Sequence, residues 1–183
     1  MLIIRSRNGR NFMKRILFIL SIVTVLSGGY VQATEEPNDD AGWYERPEWE
    51  MTELKKYEHW ILSVNTRQHT LGSAIIKARR DRVRLMSELT SEEMLELAVV
   101  MKDFENALDK HPNFGPIGMA YYQLGNGLFQ LHFHVIPRYD SVRQFEGLEW
   151  TDIDNSQPPV FGENKPEMSL LMKIRDTLLP YLN

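Results

Sequence analysis

Two histidines that stand two residues apart are the residues of this chain best placed to do chemistry. His132 and His134 alternate with Leu131, Phe133 and Val135, which is the pattern of a buried strand. Successive side chains of a strand point to opposite faces, so both imidazoles lie on one face, about 6.5–7 Å apart along the strand. A neutral imidazole is a competent nucleophile near pH 7. The pair can therefore converge on a single ligand.

Four apolar segments predict strands, and they occur as two pairs. Residues 60–64 and 73–77 contain β-branched side chains and are separated by a polar loop. Residues 117–123 and 128–138 flank a Gly-Asn-Gly sequence at 125–127, which is typical of a hairpin. Because each pair is in hairpin order, the strands predict an antiparallel sheet.

Two amphipathic helices are predicted to cover that sheet. Thr90 can cap the first, and Glu93, three residues on, completes a capping box. The apolar stripe of this helix recurs at three- and four-residue steps, at Met94, Leu97, Ala98, Met101, Phe104 and Leu108. Residues 151–166 are a loop that contains proline and glycine, and residues 167–179 form the second helix. This order of elements predicts an α+β fold.

Residues 1–33 have the composition of a secretory signal peptide. They contain basic residues but no acidic one, and an apolar run over residues 16–26 follows the basic pair Lys14-Arg15. That run is shorter than the roughly 20 residues that span a bilayer. We expect cleavage after Ala33 and export to the periplasm or secretion. Met13, directly before the basic pair, is an alternative start.

The sequence after residue 33 is acidic. Of the 21 Lys and Arg residues five lie in residues 1–33, which leaves 16 against 25 acidic residues and a net charge of −9. Such a surface repels polyanions, which argues against non-specific nucleic-acid binding. The absence of cysteine excludes disulfides, thiolate zinc ligands and a cysteine nucleophile. Residues 34–56 form an acidic and aromatic N-terminal segment, with little regular structure expected over 34–50.

The sequence around the histidines resembles the signature of the histidine triad superfamily. That signature is a strand of the form His-φ-His-φ-His-φ-φ, where φ is apolar, often followed by Pro-Arg. Residues 130–138 read Gln-Leu-His-Phe-His-Val-Ile-Pro-Arg. Asn65, followed by Gly72, resembles the ribose-binding Asn or Asp of the family. The resemblance covers residues 57–150, which we expect to form the domain, with 151–183 packed on it as a loop and a helix.

The resemblance, which is to the fragile-histidine-triad branch of dinucleoside polyphosphate hydrolases, implies hydrolysis or transfer at the α-phosphate of a nucleotide conjugate. His132 matches the middle histidine, the nucleophile of the family, and His134 matches the third, which binds phosphate and handles charge at the leaving group. Gln130 occupies the position of the first. A nucleotide ligand, no cofactor and a homodimer are also implied. The implied substrate-binding residues are Asn65, Gly125, Asn126 and Arg138.

Several alternatives remain open. Glutamine forms hydrogen bonds but cannot carry a proton's charge, so Gln130 also fits a catalytically weak nucleotide-binding module. Two imidazoles could ligate zinc, but a catalytic zinc needs a third protein ligand, and His59, His69 and His111 are not obviously directed there. The basic residues between positions 77 and 84 either form a solvated surface or attract a phosphorylated ligand. These residues, the basic run, are Lys77, Arg79, Arg80, Arg82 and Arg84.

Overall fold

A computed structural model of the chain describes residues 47–125, 130–159, 161 and 165–182. These residues belong to one unit that extends from Asp39 to Asn183. The predicted signal peptide, its cleavage site after Ala33 and the side chain of Asn126 lie outside the described residues. Within the described ranges, no helix is long and apolar enough to cross a membrane.

Five antiparallel strands form the main sheet, in the spatial order β1-β2-β3-β5-β4, and two short strands pair as a separate hairpin. The strands are β1 (Glu53–Lys56), β2 (Trp60–Val64), β3 (Ala74–Ala78), β4 (Gly118–Tyr122), β5 (His132–Arg138), β6 (Arg143–Phe145) and β7 (Leu148–Trp150). The helices are α1 (Pro47–Met51), α2 (Ser91–Lys110) and α3 (Met168–Leu178), with 3₁₀ turns at Met86–Glu88 and Leu179–Tyr181. The predicted α+β architecture is confirmed.

The predicted capping box begins α2. The backbone N–H of Glu93 donates to Thr90 Oγ1 at 3.2 Å, and the Thr90 N–H donates to Glu93 Oε2 at 2.8 Å. The first of these bonds satisfies the N–H of Glu93, which has no acceptor within the helix. The second bonds the N–H of Thr90, the residue directly before the helix. The long helix therefore starts where the sequence places it.

One face of the sheet carries the hydrophobic core, with α2 and α3 packed against β2. Two predicted core positions of α2 are wrong, because Met94 is 44% exposed and Ala98 faces solvent, whereas Val100 and Ala107 are fully buried. The helical period locates the stripe but not its edges, since positions on either side fit the same steps. Other buried residues of this core are Trp60, Leu62, Phe104, Leu108, Val135, Leu171 and Ile174.

The segment ahead of the predicted domain contains regular structure that the sequence does not predict. Helix α1 covers the last residues of the range 34–50, for which little regular structure is expected. Strand β1 pairs with β2, with Lys55 opposite Leu62. The domain therefore begins before Tyr57. The sequence of β1 is Glu-Leu-Lys-Lys, which lacks apolar alternation, and charged side chains are common on edge strands because they discourage pairing with other chains.

The strands that carry the site lie within one or two residues of their predicted positions, except at the start of β5. That strand begins at His132, so Gln130 and Leu131 precede it, while residues 128 and 129 lie outside the described ranges. The hairpin of β6 and β7 is a further element that the sequence pattern does not predict.

Candidate active site

His132 and His134, the histidine pair, lie side by side on the face of the sheet opposite the core. In the strand register His132 faces Lys77 of β3, and His134 lies between Ile75 of β3 and Tyr122 of β4. The centroids of the two imidazoles are 5.2 Å apart, with their planes at 67°. Both rings are therefore adjacent on one face, as the alternation of the strand predicts.

The backbone holds His132 in one neutral tautomer. Its Nδ1 lies 2.8 Å from the carbonyl oxygen of Gln130, and because a carbonyl can only accept, the proton of the neutral ring is assigned to Nδ1. The lone pair then lies on Nε2. The side chain is 3% exposed, and this burial lowers its pKa below 6.5, helped by the charge of Lys77 and opposed by the Gln130 carbonyl. His132 is thus neutral at pH 7, which is the form in which an imidazole can act as a base or a nucleophile.

His134 is held neutral more strongly than its neighbour. Its pKa is lowered to about 4, mainly by burial and further by electrostatic interactions with His132, His69 and Arg67. Its Nδ1 is buried and has no hydrogen-bond partner in the part of the chain that the structure describes. A buried polar atom without a partner costs free energy, and a ligand group that bonded to this nitrogen would remove that cost.

Gln130 uses its amide to hold the backbone that follows β3. Its Nε2 donates to the carbonyl oxygens of Ala78 at 2.9 Å and Arg80 at 2.6 Å, and its Oε1 accepts from the N–H of Arg82 at 3.0 Å. Arg82 has a positive φ of 62°, a conformation that is uncommon for residues other than glycine. The side chain therefore has the contacts of a positioning residue, with both amide N–H groups bonded to the backbone.

Asn65 begins a loop that is held together in part by hydrogen bonds of its own side chains. Its Oδ1 accepts from the Arg67 N–H at 3.0 Å, and the Gln68 side chain bridges the carbonyls of Asn65 and Ser73. Gly72, at φ +82°, closes the loop against Phe114, whose ring a Cβ would approach to 3.0 Å. By contrast, Asn65 Nδ2 is buried without a partner among the described residues. A bound ligand that accepted from this donor would relieve the cost of leaving it unpaired.

The remaining predicted residues do not gather around the histidines in the same way. Arg138 lies at the far end of β5 and pairs with Asp152, with Nε to Oδ2 at 2.6 Å and Nη2 to Oδ1 at 3.1 Å. Its guanidinium is therefore bonded to the 151–159 loop. Gly125 follows β4 at a positive φ of 64°, and Asn126 lies outside the described residues.

A cavity of about 310 Å³ lies over β2 and β3, and one of its lining residues is Lys77, the ladder partner of His132. Ile61, Ser63 and Lys77 line it and share the face of the histidines, because Ile61 and Lys77 are register partners and Lys77 faces His132. Lys77 is 6% exposed, whereas the other members of the basic run, Arg79, Arg80, Arg82 and Arg84, are exposed. A site lysine therefore lies within a run that is otherwise solvated.

Two further aromatic residues lie near the pair: His69, which the sequence does not obviously direct there, and Phe161, which the sequence does not single out. His69, from the loop after β2, contributes to the low pKa of His134, and its own pKa is lowered by burial and by Arg67. The ring of Phe161 lies 4.9 Å from that of His69 and 6.0 Å from that of His134. No local pattern marks either residue, because both lie in loops that only the fold brings together. Across the described ranges, no group of three or more His, Asp, Glu or Cys side chains is arranged to hold a metal ion.

Comparison with known proteins gives a match between the HIT domain family and residues 64–141. This range contains the histidine pair, Gln130, Asn65 and Arg138. The chain contains a HIT domain. The resemblance to the histidine triad superfamily is thereby confirmed. No curated protein sequence matches the chain significantly.

Solved structures share the fold of the HIT domain. A histidine triad protein from Sinorhizobium meliloti 1021 matches with a TM-score of 0.56 and 20% identity, over 73% of this chain and 92% of that chain. One from Marinobacter aquaeolei VT8 has a TM-score of 0.51 and 23% identity, over 71% and 87%. Diadenosine triphosphate hydrolase from Plasmodium falciparum, in complex with Cyclomarin A, has a TM-score of 0.52 and 11% identity, over 73% and 77%. At these identities the likeness concerns the fold.

Proposed function

We propose that the HIT domain is a hydrolase or nucleotidyl transferase that acts at the α-phosphate of nucleotide conjugates, with His132 as nucleophile. The observation that carries this proposal is the bond between His132 Nδ1 and the Gln130 carbonyl at 2.8 Å. It fixes the ring and assigns the lone pair to Nε2. Burial keeps that ring unprotonated at neutral pH, which is the form that attacks phosphorus.

The reaction divides into two displacements. The Nε2 lone pair forms a bond to the α-phosphorus while the bond from phosphorus to the leaving atom breaks, and that atom departs with the bonding pair and takes up a proton. Water, or another acceptor hydroxyl, then attacks the phosphorus and loses its proton, and the P–N bond breaks with its pair returning to Nε2. The products of hydrolysis are a nucleoside monophosphate and the protonated leaving group.

His134 is suited to the proton that the leaving atom needs. In the free protein its pKa is about 4, so the ring is neutral before substrate binds. An anionic phosphate within hydrogen-bond reach favours the charged form of a neighbouring imidazole and raises its pKa. Binding itself thus converts His134 into a donor, and the low pKa in the empty site returns it to the neutral form after release.

The cavity beside Lys77 is suited to the nucleoside that stays on the enzyme. Its volume of about 310 Å³ is at the lower end of the range for small-molecule sites, roughly 300–1,000 Å³. It adjoins His132 through Lys77, which faces that histidine across the ladder. Asn65 Nδ2, which has no hydrogen-bond partner among the described residues, is the donor proposed for the ribose.

The second candidate is a nucleotide-binding module with weak catalysis. The observation that favours it is Gln130, whose amide is bonded to the backbone of Ala78, Arg80 and Arg82. The site therefore has two imidazoles from β5 rather than three, and one positioned acid or base is worth about 10²–10⁴ in rate.

Incubation of the protein with diadenosine polyphosphates and with adenosine 5′-phosphoramidate tests the proposal. We expect nucleoside monophosphate to form, and an acid-labile adduct to appear on His132 in a quenched reaction analysed by mass spectrometry. His132→Ala should abolish both. The matched control is His111→Ala, since His111 packs on Phe114 and Tyr181 at the end of α2. Tight binding without adduct or turnover would establish the binding module instead.

We also propose that the protein is exported and cleaved after Ala33, as residues 1–33 suggest. Expression of the full chain, followed by mass measurement of the protein recovered outside the cytoplasm, tests this. The mass should correspond to residues 34–183, and recovery of the intact chain from the cytoplasm alone would refute it.

A further inference from the structure

Phe161 occupies the centre of a cluster of aromatic rings beside His134. Its ring centroid lies 4.9 Å from that of His69, 5.3 Å from that of Tyr122 and 6.0 Å from that of His134. The corresponding planes meet at 70°, 84° and 88°, so all three contacts are edge-to-face. We name these four residues the aromatic cluster. They come from two strands and two loops, so the cluster is assembled by the fold.

The aromatic cluster and the 310 Å³ cavity lie on opposite sides of His132. The cavity extends over Lys77 on β3, which is the neighbour of β5 in one direction, and over Ile61 on β2, which lies beyond β3. Tyr122 belongs to β4, the neighbour in the other direction, and is paired with His134. A nucleotide conjugate also has two halves, one on each side of the phosphorus that is attacked. If the retained nucleoside takes the cavity, the leaving half faces the aromatic cluster.

The chemistry on this side fits a leaving group that combines phosphate and an aromatic ring. Arg67 is exposed, and its charge acts on both His69 and His134, so it lies near enough to attract a phosphate chain. Phe161 is 43% exposed although three rings surround it. A large aromatic ring that remains this accessible beside a site can stack on a planar ligand.

We propose that Phe161 is a specificity-determining residue, whose ring stacks on the base of the leaving nucleotide. This inference rests on the proposed function and identifies the leaving group as one that carries a nucleobase. Conjugates whose leaving group lacks a ring gain nothing from this contact. The enzyme should therefore prefer dinucleoside polyphosphates to mononucleotides with the same number of phosphates.

Two substrates that differ only in the distal nucleoside test the role of Phe161. Diadenosine tetraphosphate releases ATP, and adenosine 5′-tetraphosphate releases inorganic triphosphate, when each is attacked at its α-phosphate. The measured quantity is the ratio of their kcat/KM values. We expect Phe161→Ala to lower this ratio about tenfold, in line with the effect of removing one base-stacking side chain. Phe161→Leu, which keeps apolar volume but no ring, should lower it too, and Phe161→Tyr should keep it within about twofold.

Ile153→Ala is the matched control, because Ile153 is an apolar residue of the same loop and is 82% exposed. It should leave the ratio unchanged. A ratio that stays the same in Phe161→Ala, or an equal fall in kcat/KM for both substrates, would overturn the stacking proposal and assign Phe161 to the environment of His134 alone.

Binding measurements separate this inference from the proposed function. If the wild-type protein turns over neither substrate, the proposed hydrolase is refuted, and calorimetry with ATP and with inorganic triphosphate then decides the stacking. Tighter binding of ATP that Phe161→Ala weakens about tenfold supports it. Equal binding of ATP to both proteins overturns it.

Discussion

Replacement of Gln130 should destabilise the protein because its amide holds the turn after β3. Three hydrogen bonds are lost in Gln130→Ala: those to the carbonyls of Ala78 and Arg80 and that from the Arg82 N–H. Each is worth about 1 kcal/mol net, so the free energy of unfolding should fall by about 3 kcal/mol. In a chain of this length that corresponds to roughly 6–12 °C in Tm.

Gln130→His, which would restore the histidine at the first position of the family signature, should also destabilise. A neutral imidazole offers one donor and one acceptor, so at least one of the three bonds to the turn is lost, at a cost of about 1 kcal/mol. A protonated imidazole offers two donors but loses the acceptor for Arg82. We therefore expect no gain in kcat from this substitution, because the added ring would point at backbone groups rather than at the substrate.

Urea denaturation, followed by far-UV circular dichroism, measures both effects through the linear dependence of unfolding free energy on urea. The control is Gln157→Ala, since Gln157 is exposed and should change stability by less than about 0.5 kcal/mol. A loss below about 1 kcal/mol in Gln130→Ala would refute the role of the amide in holding the turn. A rise in kcat in Gln130→His would show that position 130 can reach the substrate.

Arg138→Met should lower the free energy of unfolding, measured by urea denaturation, by about 3–5 kcal/mol, because the buried carboxylate of Asp152 loses its ion-pair partner. The control is Lys173→Met, which removes an exposed ion pair and should lower that free energy by less than about 1 kcal/mol. A hydrogen bond from Arg80 lowers the pKa of Glu93 to about 2, below about 4.3 in the unfolded chain. Stability should therefore fall as pH drops from about 5 towards 2, and Glu93→Gln should flatten that slope. In a pH profile of kcat/KM, the loss of activity on the acid side should have its midpoint below pH 6.5, because burial lowers the pKa values of both histidines of the pair. A midpoint at or above pH 6.5 would contradict this.

The parts of the fold that have a local signature could be predicted from the sequence. The Thr90–Glu93 capping box begins α2, and β2 spans residues 60–64, because a cap and an apolar β-branched run are stabilised mainly by neighbours in the chain. Strand β1 has no such signature. Its polar side chains are accommodated at the edge of the sheet, where pairing with β2 depends on backbone groups that every residue shares.

The sequence by itself determined the histidine pair, its placement on one face, and Asn65 as a residue of the loop before β3, because strand alternation and the family signature both operate over a few residues. Only the tertiary structure decided the rest. It directed the amide of Gln130 to a turn 48–52 residues away, buried Lys77 within an exposed basic run, and placed Phe161 between His69 and His134. The physical reason is that desolvation and contact depend on which distant segments pack together, and a local pattern carries no record of that packing.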